Sequence, residues 1–239
     1  MFKKLSSLIT SLPILNYISI EDERLKLVIY VVVILILLGF IYKLRKDYIY
    51  HKNNPRFFSD GIIGDKKEII KGSDIPNSNK GLEMSIFQWI YIDNIDYKFG
   101  KIKHVLTKGN PNLQSREQCP SILLDSRKND LVIFISTNKK NDRFVIQDYK
   151  IRKWFSLGLV VSNMTLDIYL DGELVNSYSL SDSPKINNGD LVLSNNGGYK
   201  GMISSIGMFS YALNPNEIKA IHTKGHDNRP LYKRIYYRV

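Results

Sequence analysis

Retaining glycoside hydrolysis needs two carboxylates about 5 Å apart across the scissile bond, and the body of this chain offers Glu83, Glu117, Glu173 and Glu217, well separated along its length. Glu173 directly follows an Asp-Gly pair and reads as a solvated turn residue. A zinc site needs His and Cys at short spacings. His51, His104, His222 and His226 do not fall around the single cysteine, Cys119, in that way, so no metal is assigned. Calcium wants several converging oxygens. "YIDNID" offers Asp93, Asn94 and Asp96, and "SNNGG" offers Asn195 and Asn196. These sets are sparse, so Asx turns are the preferred reading and calcium is left open, with no other cofactor expected.

Sugar recognition would use exposed rings beside polar groups. Tyr91, Tyr97, Trp154, Tyr169 and Tyr199 are available, but Trp89 and Trp154 read first as core, and the carbohydrate-binding residues stay unassigned. No phosphate loop or nucleophile elbow is present. Asn163-Met164-Thr165 is a formal glycosylation sequon abutting a predicted strand. The tail "NRPLYKRIYYRV" interleaves Arg229, Lys233, Arg234 and Arg238 with Tyr232, Tyr236 and Tyr237. Stacking on nucleic-acid bases is one use of such a mixture; docking on protein is preferred, because the tail is short.

These groups must be carried by elements, and the elements are legible. Hydrophobic residues make up 44% of the 239, enough for a core. One cysteine precludes an intramolecular disulfide and leans toward a reducing compartment. The formal charge of +11 suggests nucleic acid until it is located. Residues 81–225 carry 17 Lys and Arg against 14 Asp and Glu, so most of the excess lies in the flanks. Basic flanks beside a hydrophobic segment suit lipid head groups or acidic protein, and nucleic acid is disfavoured.

From Leu27 to Tyr42 the chain reads "LVIYVVVILILLGFIY" without a charge, and Leu25 and Leu44 extend the run to twenty residues. At about 1.5 Å per residue, twenty residues cover the ~30 Å hydrocarbon core. A single transmembrane helix over 25–44 is predicted. Leu5, Leu8, Ile9 and Leu12 fall at helical spacing, so residues 1–24 are expected to be an amphipathic surface segment rather than a signal peptide. "KLRKDY" after the span is more densely positive than "EDERLK" before it, which favours a cytosolic C-terminal domain. Residues 45–80 read as a basic linker holding a first short strand.

Beyond Gly81 the pattern switches to short strands separated by Asn-, Asp-, Gly- and Pro-rich turns, the signature of an antiparallel sandwich. "TLDIYLDGELVNSYSL" (165–180) alternates around Asp171-Gly172, which predicts a tight hairpin. "NPNEIKAIHTKG" reads as a short helix with Asn214 as N-cap, Pro215 at the first position and Gly225 at the stop.

The order of Trp154 and Leu159, then "LDIYLDGELV", then "NNGGYKGMISSIGMFSYALNPNEIKAIHTKG" resembles the concanavalin A-like lectin/glucanase superfamily, and within it the laminin-G-like jelly rolls. "GLEMSIFQWIYIDN" looks like that family's early core strand, with Phe87, Trp89 and Tyr91 on one face. The resemblance covers roughly residues 56–225. It implies an all-β, antiparallel jelly-roll sandwich with a short C-terminal helix, here behind the transmembrane helix. It implies hydrolases, lectins and adhesion modules alike. The hydrolases of the superfamily carry Glu-x-Asp-x-x-Glu on one strand; this chain lacks it, so no catalytic residue is assigned and no enzyme is expected. The looser likeness to membrane-anchored proteins of large eukaryotic DNA viruses implies a capsid or virion component as partner and a virion membrane as location. The expected organisation is thus 1–24 amphipathic, 25–44 membrane helix, 45–80 linker, 81–225 laminin-G-like jelly roll and 226–239 tail. The expected role is a membrane-anchored binding or structural module for a protein partner; a lectin displayed outward is the alternative, and a glycan-active hydrolase comes last.

Overall fold

A computed structural model describes residues 23–53, 56–58, 60–76, 81–112 and 114–227. The expected amphipathic segment up to residue 22 and the basic, aromatic tail from residue 228 lie outside the described residues. Two compact units divide the chain between Tyr50 and His51.

Helix α1 (Glu23–Asn53) is 31 residues long. Within it Arg24–Lys46 is long and apolar enough to cross a membrane, and none of that stretch is buried against protein. A helix is the one single-segment structure that satisfies every backbone donor and acceptor in hydrocarbon. Its continuation to Asn53 takes in residues read as the start of a linker. The rest of that stretch supplies β1 (Arg56–Phe57), β2 (Ile62–Ile63) and β3 (Glu68–Ile70).

The second unit is a two-sheet sandwich of antiparallel strands. Its remaining strands are β4 (Glu83–Asn94), β5 (Lys103–Gly109), β6 (Gln118–Leu124), β7 (Leu131–Ser136), β8 (Asn141–Ile146), β9 (Trp154–Ser162), β10 (Thr165–Leu170), β11 (Glu173–Ser179), β12 (Leu191–Leu193) and β13 (Lys200–Phe209). Helix α2 (Pro215–Thr223) follows. One sheet has the order β1-β13-β4-β9-β10-β11 with β2 also on β13, and the other has β3-β12-β5-β6-β7-β8. The crossing connections between sheets make it a jelly roll.

Alternation along β4 assigns its two faces. Met84, Ile86, Ile90 and Ile92 join the core between the sheets, with Ile122, Leu124, Leu131, Ile133, Leu157 and Leu159. Phe87 and Trp89 point the other way, into a second cluster with Val160, Tyr169, Leu213 and the α2 residues Ile218 and Ile221. The aromatic stripe therefore does share a face, but that face lies under the helix and not between the sheets. Burying Ile218 and Ile221 contributes roughly 1.5–3 kcal/mol each, which fixes α2 to the sheet.

The local signals are realised in detail. Asp171 (φ 50°) and Gly172 (φ 83°) are both left-handed, as a tight hairpin turn with right-handed strand twist requires. Asn214 accepts from the Glu217 N–H at 3.0 Å and Glu217 accepts from the Asn214 N–H at 2.9 Å, a closed capping box with Pro215 in the first turn.

Candidate functional site

The outer face of the six-stranded sheet carries the candidate site. Because Ile122 and Leu124 point into the core, Ser121 and Leu123 point out. Register then lines up two cross-strand rows on this face. One runs Ile69, Val192, Thr107, Ser121, Phe134, Arg143, and the other His104, Leu123, Val132, Val145. The middle of this floor is uncharged: Thr107 and Ser121 are fully buried, and Leu123, Val132 and Val192 nearly so.

A chain of hydrogen bonds crosses this floor. The Asn195 N–H donates to His104 Nδ1 at 3.1 Å, so the ring proton sits on Nε2 and is donated to Thr107 Oγ1 at 2.8 Å. Thr107 is in turn 2.6 Å from Ser121 Oγ. Burial, aided by the charge of Lys67, pushes His104 down to about 4. The imidazole is therefore neutral at physiological pH and acts as a fixed donor-acceptor bridge.

Two segments wall this face. Gln118 donates from Nε2 to the Asn112 carbonyl, which ties down the loop between β5 and β6. The Asn195–Gly197 turn is held by His104 and, from behind, by Tyr97, whose hydroxyl donates to the Gly197 carbonyl at 2.9 Å, and by Lys98 on the Asn196 carbonyl. Between them lies an open cleft of about 480 Å³ lined by Asn110, Pro111, Asn112, Gln114, Asn195 and Asn196. Five of the six lining residues are carboxamides, each able to donate and accept. No lining residue is charged and none is aromatic.

The family profile for the concanavalin A-like lectin/glucanases superfamily, of laminin-G type, matches residues 70–219. The chain belongs to that superfamily. No curated protein matches it. Among solved structures, the binding domain of botulinum neurotoxin serotype D/C is similar with 19% identity and a TM-score of 0.51, over 66% of this chain and 40% of that one. The binding domain of botulinum neurotoxin DC in complex with rat synaptotagmin II is similar with 16% identity and a TM-score of 0.50, over 72% and 46%. This chain thus spans less than half the length of those proteins, and the likeness is one of fold.

Within this superfamily fold the sequence candidates are scattered. Glu217 is committed to the helix cap, and Glu173 pairs with Lys219 at 3.2 Å. Glu117 is exposed in the loop between β5 and β6, and Glu83 opens β4 at the far end of the sandwich from Asn94. Asn94 Oδ1 accepts from the Asp96 N–H at 2.7 Å, an Asx turn. Among the described residues no group of three or more His, Cys, Asp and Glu side chains is placed to hold a metal ion. Cys119 is fully buried, which raises its thiol to about 12 and makes it a core residue in contact with Met84 Sδ at 3.9 Å. Of the candidate sugar rings, Tyr169 and Tyr199 are buried, and Tyr199 donates to the Met202 carbonyl at 2.8 Å.

Trp89 and Trp154 gather two histidines that looked unrelated in the sequence. Trp89 stacks on His222 with centroids 5.0 Å apart, and Trp154 stacks on His226 at 4.5 Å. His222 Nδ1 also lies 2.9 Å from Ser156 Oγ. Asn163 is exposed in the turn between β9 and β10, where its left-handed backbone (φ 53°) suits asparagine. The carboxamide wall from Asn110 to Gln114 is what sequence reasoning missed. The cluster "NPNLQ" was its signal, since short polar side chains there exceed what one turn needs.

Proposed function

We propose that the protein is a membrane-anchored, non-catalytic binding module that tethers a protein partner to the bilayer holding α1. The carboxamide cleft carries this reading. Its lining matches the alternating donors and acceptors of an extended peptide segment, and it lacks the ring on which a sugar face would stack. A structurally similar domain bound to a protein, rat synaptotagmin II, is a precedent for the partner class. Lys43, Arg45 and Lys46 just past the apolar run favour a cytosolic sandwich, and a capsid or virion component on that side fits the reading. The division into amphipathic segment, span, linker, jelly roll and tail belongs to the same proposal.

A displayed peptide library screened against the full chain in lipid nanodiscs tests it. Enriched peptides whose binding drops about tenfold or more in Asn112→Ala/Asn195→Ala are expected, a loss of roughly 1.4 kcal/mol. Glycan-array signals abolished by the same pair of substitutions, without peptide binding, would replace the tether by the lectin. Protease that spares the sandwich on cytosolic-side-out vesicles, together with an endoglycosidase-sensitive mass on Asn163, overturns the orientation.

A further inference from the structure

The outer face of the seven-stranded sheet is covered by α2 only in part. Ile62, Ile90, Phe155 and Ile203 turn into the core between the sheets, so their neighbours Ile63, Tyr91, Trp154 and Met202 turn outward. Register places these four in one cross-strand row: Ile63 beside Met202, Met202 beside Tyr91, and Tyr91 beside Trp154. No charged side chain interrupts the row. The Tyr91 and Trp154 rings meet with centroids 5.6 Å apart. α2 lies over Phe87, Trp89 and Val160, and beyond its cover Ile63 stays 55% exposed and Met202 36%.

The chain leaves α2 beside this row. Gly225 turns it at φ +79°, and the His226 ring then stacks on Trp154 with the planes 5° apart. The His226 carbonyl accepts from Ser204 Oγ at 2.6 Å and from Ser205 Oγ at 2.8 Å, which pins the backbone over β13. Met202 is two residues along β13 from Ser204, about 7 Å away. The segment that follows, "NRPLYKRIYYRV", carries Leu231, Tyr232, Ile235, Tyr236 and Tyr237. Residues 228–239 reach ~40 Å when extended, and the row is ~14 Å wide across its strands. Tethering gives this segment an effective concentration on the order of millimolar at the row, which favours it over a free occupant of the same chemistry.

We infer that residues 228–239 dock on the row of Ile63, Met202 and Tyr91 and complete the cover that α2 begins. The leucine, isoleucine and tyrosine side chains meet the apolar row, while the interleaved Arg229, Lys233, Arg234 and Arg238 keep their charged ends in water. The tail is thereby an intramolecular clasp on the sandwich, and any partner that uses this face must first displace it. The inference depends on neither the carboxamide cleft nor the membrane anchor.

The test uses the full chain in lipid nanodiscs, oxidised with dilute hydrogen peroxide and read methionine by methionine by mass spectrometry. Met164, 46% exposed in the turn between β9 and β10, is the internal reference. Ending the chain at Asp227 is expected to speed Met202 oxidation relative to Met164 at least about fivefold, the equivalent of roughly 1 kcal/mol of docking. Leu231→Ser/Ile235→Ser should shift it in the same direction with the chain length kept, and Asn112→Ala/Asn195→Ala should leave it unchanged. Benzoylphenylalanine in place of Ile63 should cross-link within one chain to peptides from 228–239, and in place of Leu174 on β11 should not. Met202 oxidation indifferent to loss of the tail, or cross-links from position 63 that miss the tail, overturns the clasp. Cross-links that join two chains give the row to a second copy, and Met202 protected by an added oligosaccharide with the tail intact gives it to a sugar; either outcome also overturns it.

Discussion

The outer faces of the two sheets are closed by different means. On the seven-stranded sheet, α2 lies over Phe87, Trp89 and Val160, and the histidines His222 and His226 stack on the tryptophans beside it. Across the sandwich, among the described residues, no α-helix covers the six-stranded sheet. At the centre of its floor Thr107 and Ser121 are small and hydrogen-bonded in a chain with His104, and the loops beside it hold an open cleft. Large apolar side chains therefore sit where burial gains stability, and carboxamides line the open cleft. On the proposed reading of the cleft, the fold assigns stability and binding to opposite faces.

That contrast can be broken from the covered side first. Trp89→Ala is expected to cost about 3–5 kcal/mol, because it removes the ring between β4 and α2, and urea unfolding of the full chain in nanodiscs measures it. A loss under about 1 kcal/mol would show that α2 is an ornament on the sheet. The open face gives the next effect through pH. His104 has an ordinary value near 6.5 and is held near 4 in the folded chain by burial and by Lys67, so unfolding takes up a proton between those values. Stability is complete above pH ~6.5 and falls as the pH drops toward 4, by on the order of 3 kcal/mol. His104→Gln should flatten that part of the profile, and an unchanged slope would move the proton uptake elsewhere.

Smaller effects sharpen the same division. Asn214→Ala removes one side of the capping box and should destabilise by about 1 kcal/mol, read as a lower urea midpoint. Asn196→Gly, at the exposed lip of the cleft, where the left-handed backbone (φ 53°) suits glycine as well as asparagine, should change stability by no more than about 0.5 kcal/mol. If it unfolds the domain, the cleft is structural support and not a site.

The fold was legible because its signals are local. Asp171-Gly172 demanded left-handed backbone, and Asn214-Pro215 with Glu217 completed a cap within four residues. Alternation placed Phe87, Trp89 and Tyr91 on one face, but period two says only which residues share a face and not what that face meets. The His104–Thr107–Ser121 chain needs the register of β5 on β6, and the His222–Trp89 and His226–Trp154 stacks need α2 folded back over sixty or more residues. Tyr199 looked available for sugar because a tyrosine between Gly198 and Lys200 gives no sign of burial. Its ring fills the space against Gly64, where an added Cβ would come within 2.8 Å.

The attachment of β1 has a mechanical meaning. Arg56 and Phe57 join it to β13, the Phe58 carbonyl accepts from the Ser205 N–H at 3.0 Å, and β2 continues the contact at Ile203 and Met202. A pull on Arg56 directed along the strands, away from the Lys200 end of β13, would load β1 in shear, and its few bonds would share the force. When they yield, the chain pays out up to Glu68, where β3 begins on the other sheet. Under such a pull the two- and three-residue strands at the start of the domain would act as a short extensible leader, and the core behind them would keep its shape.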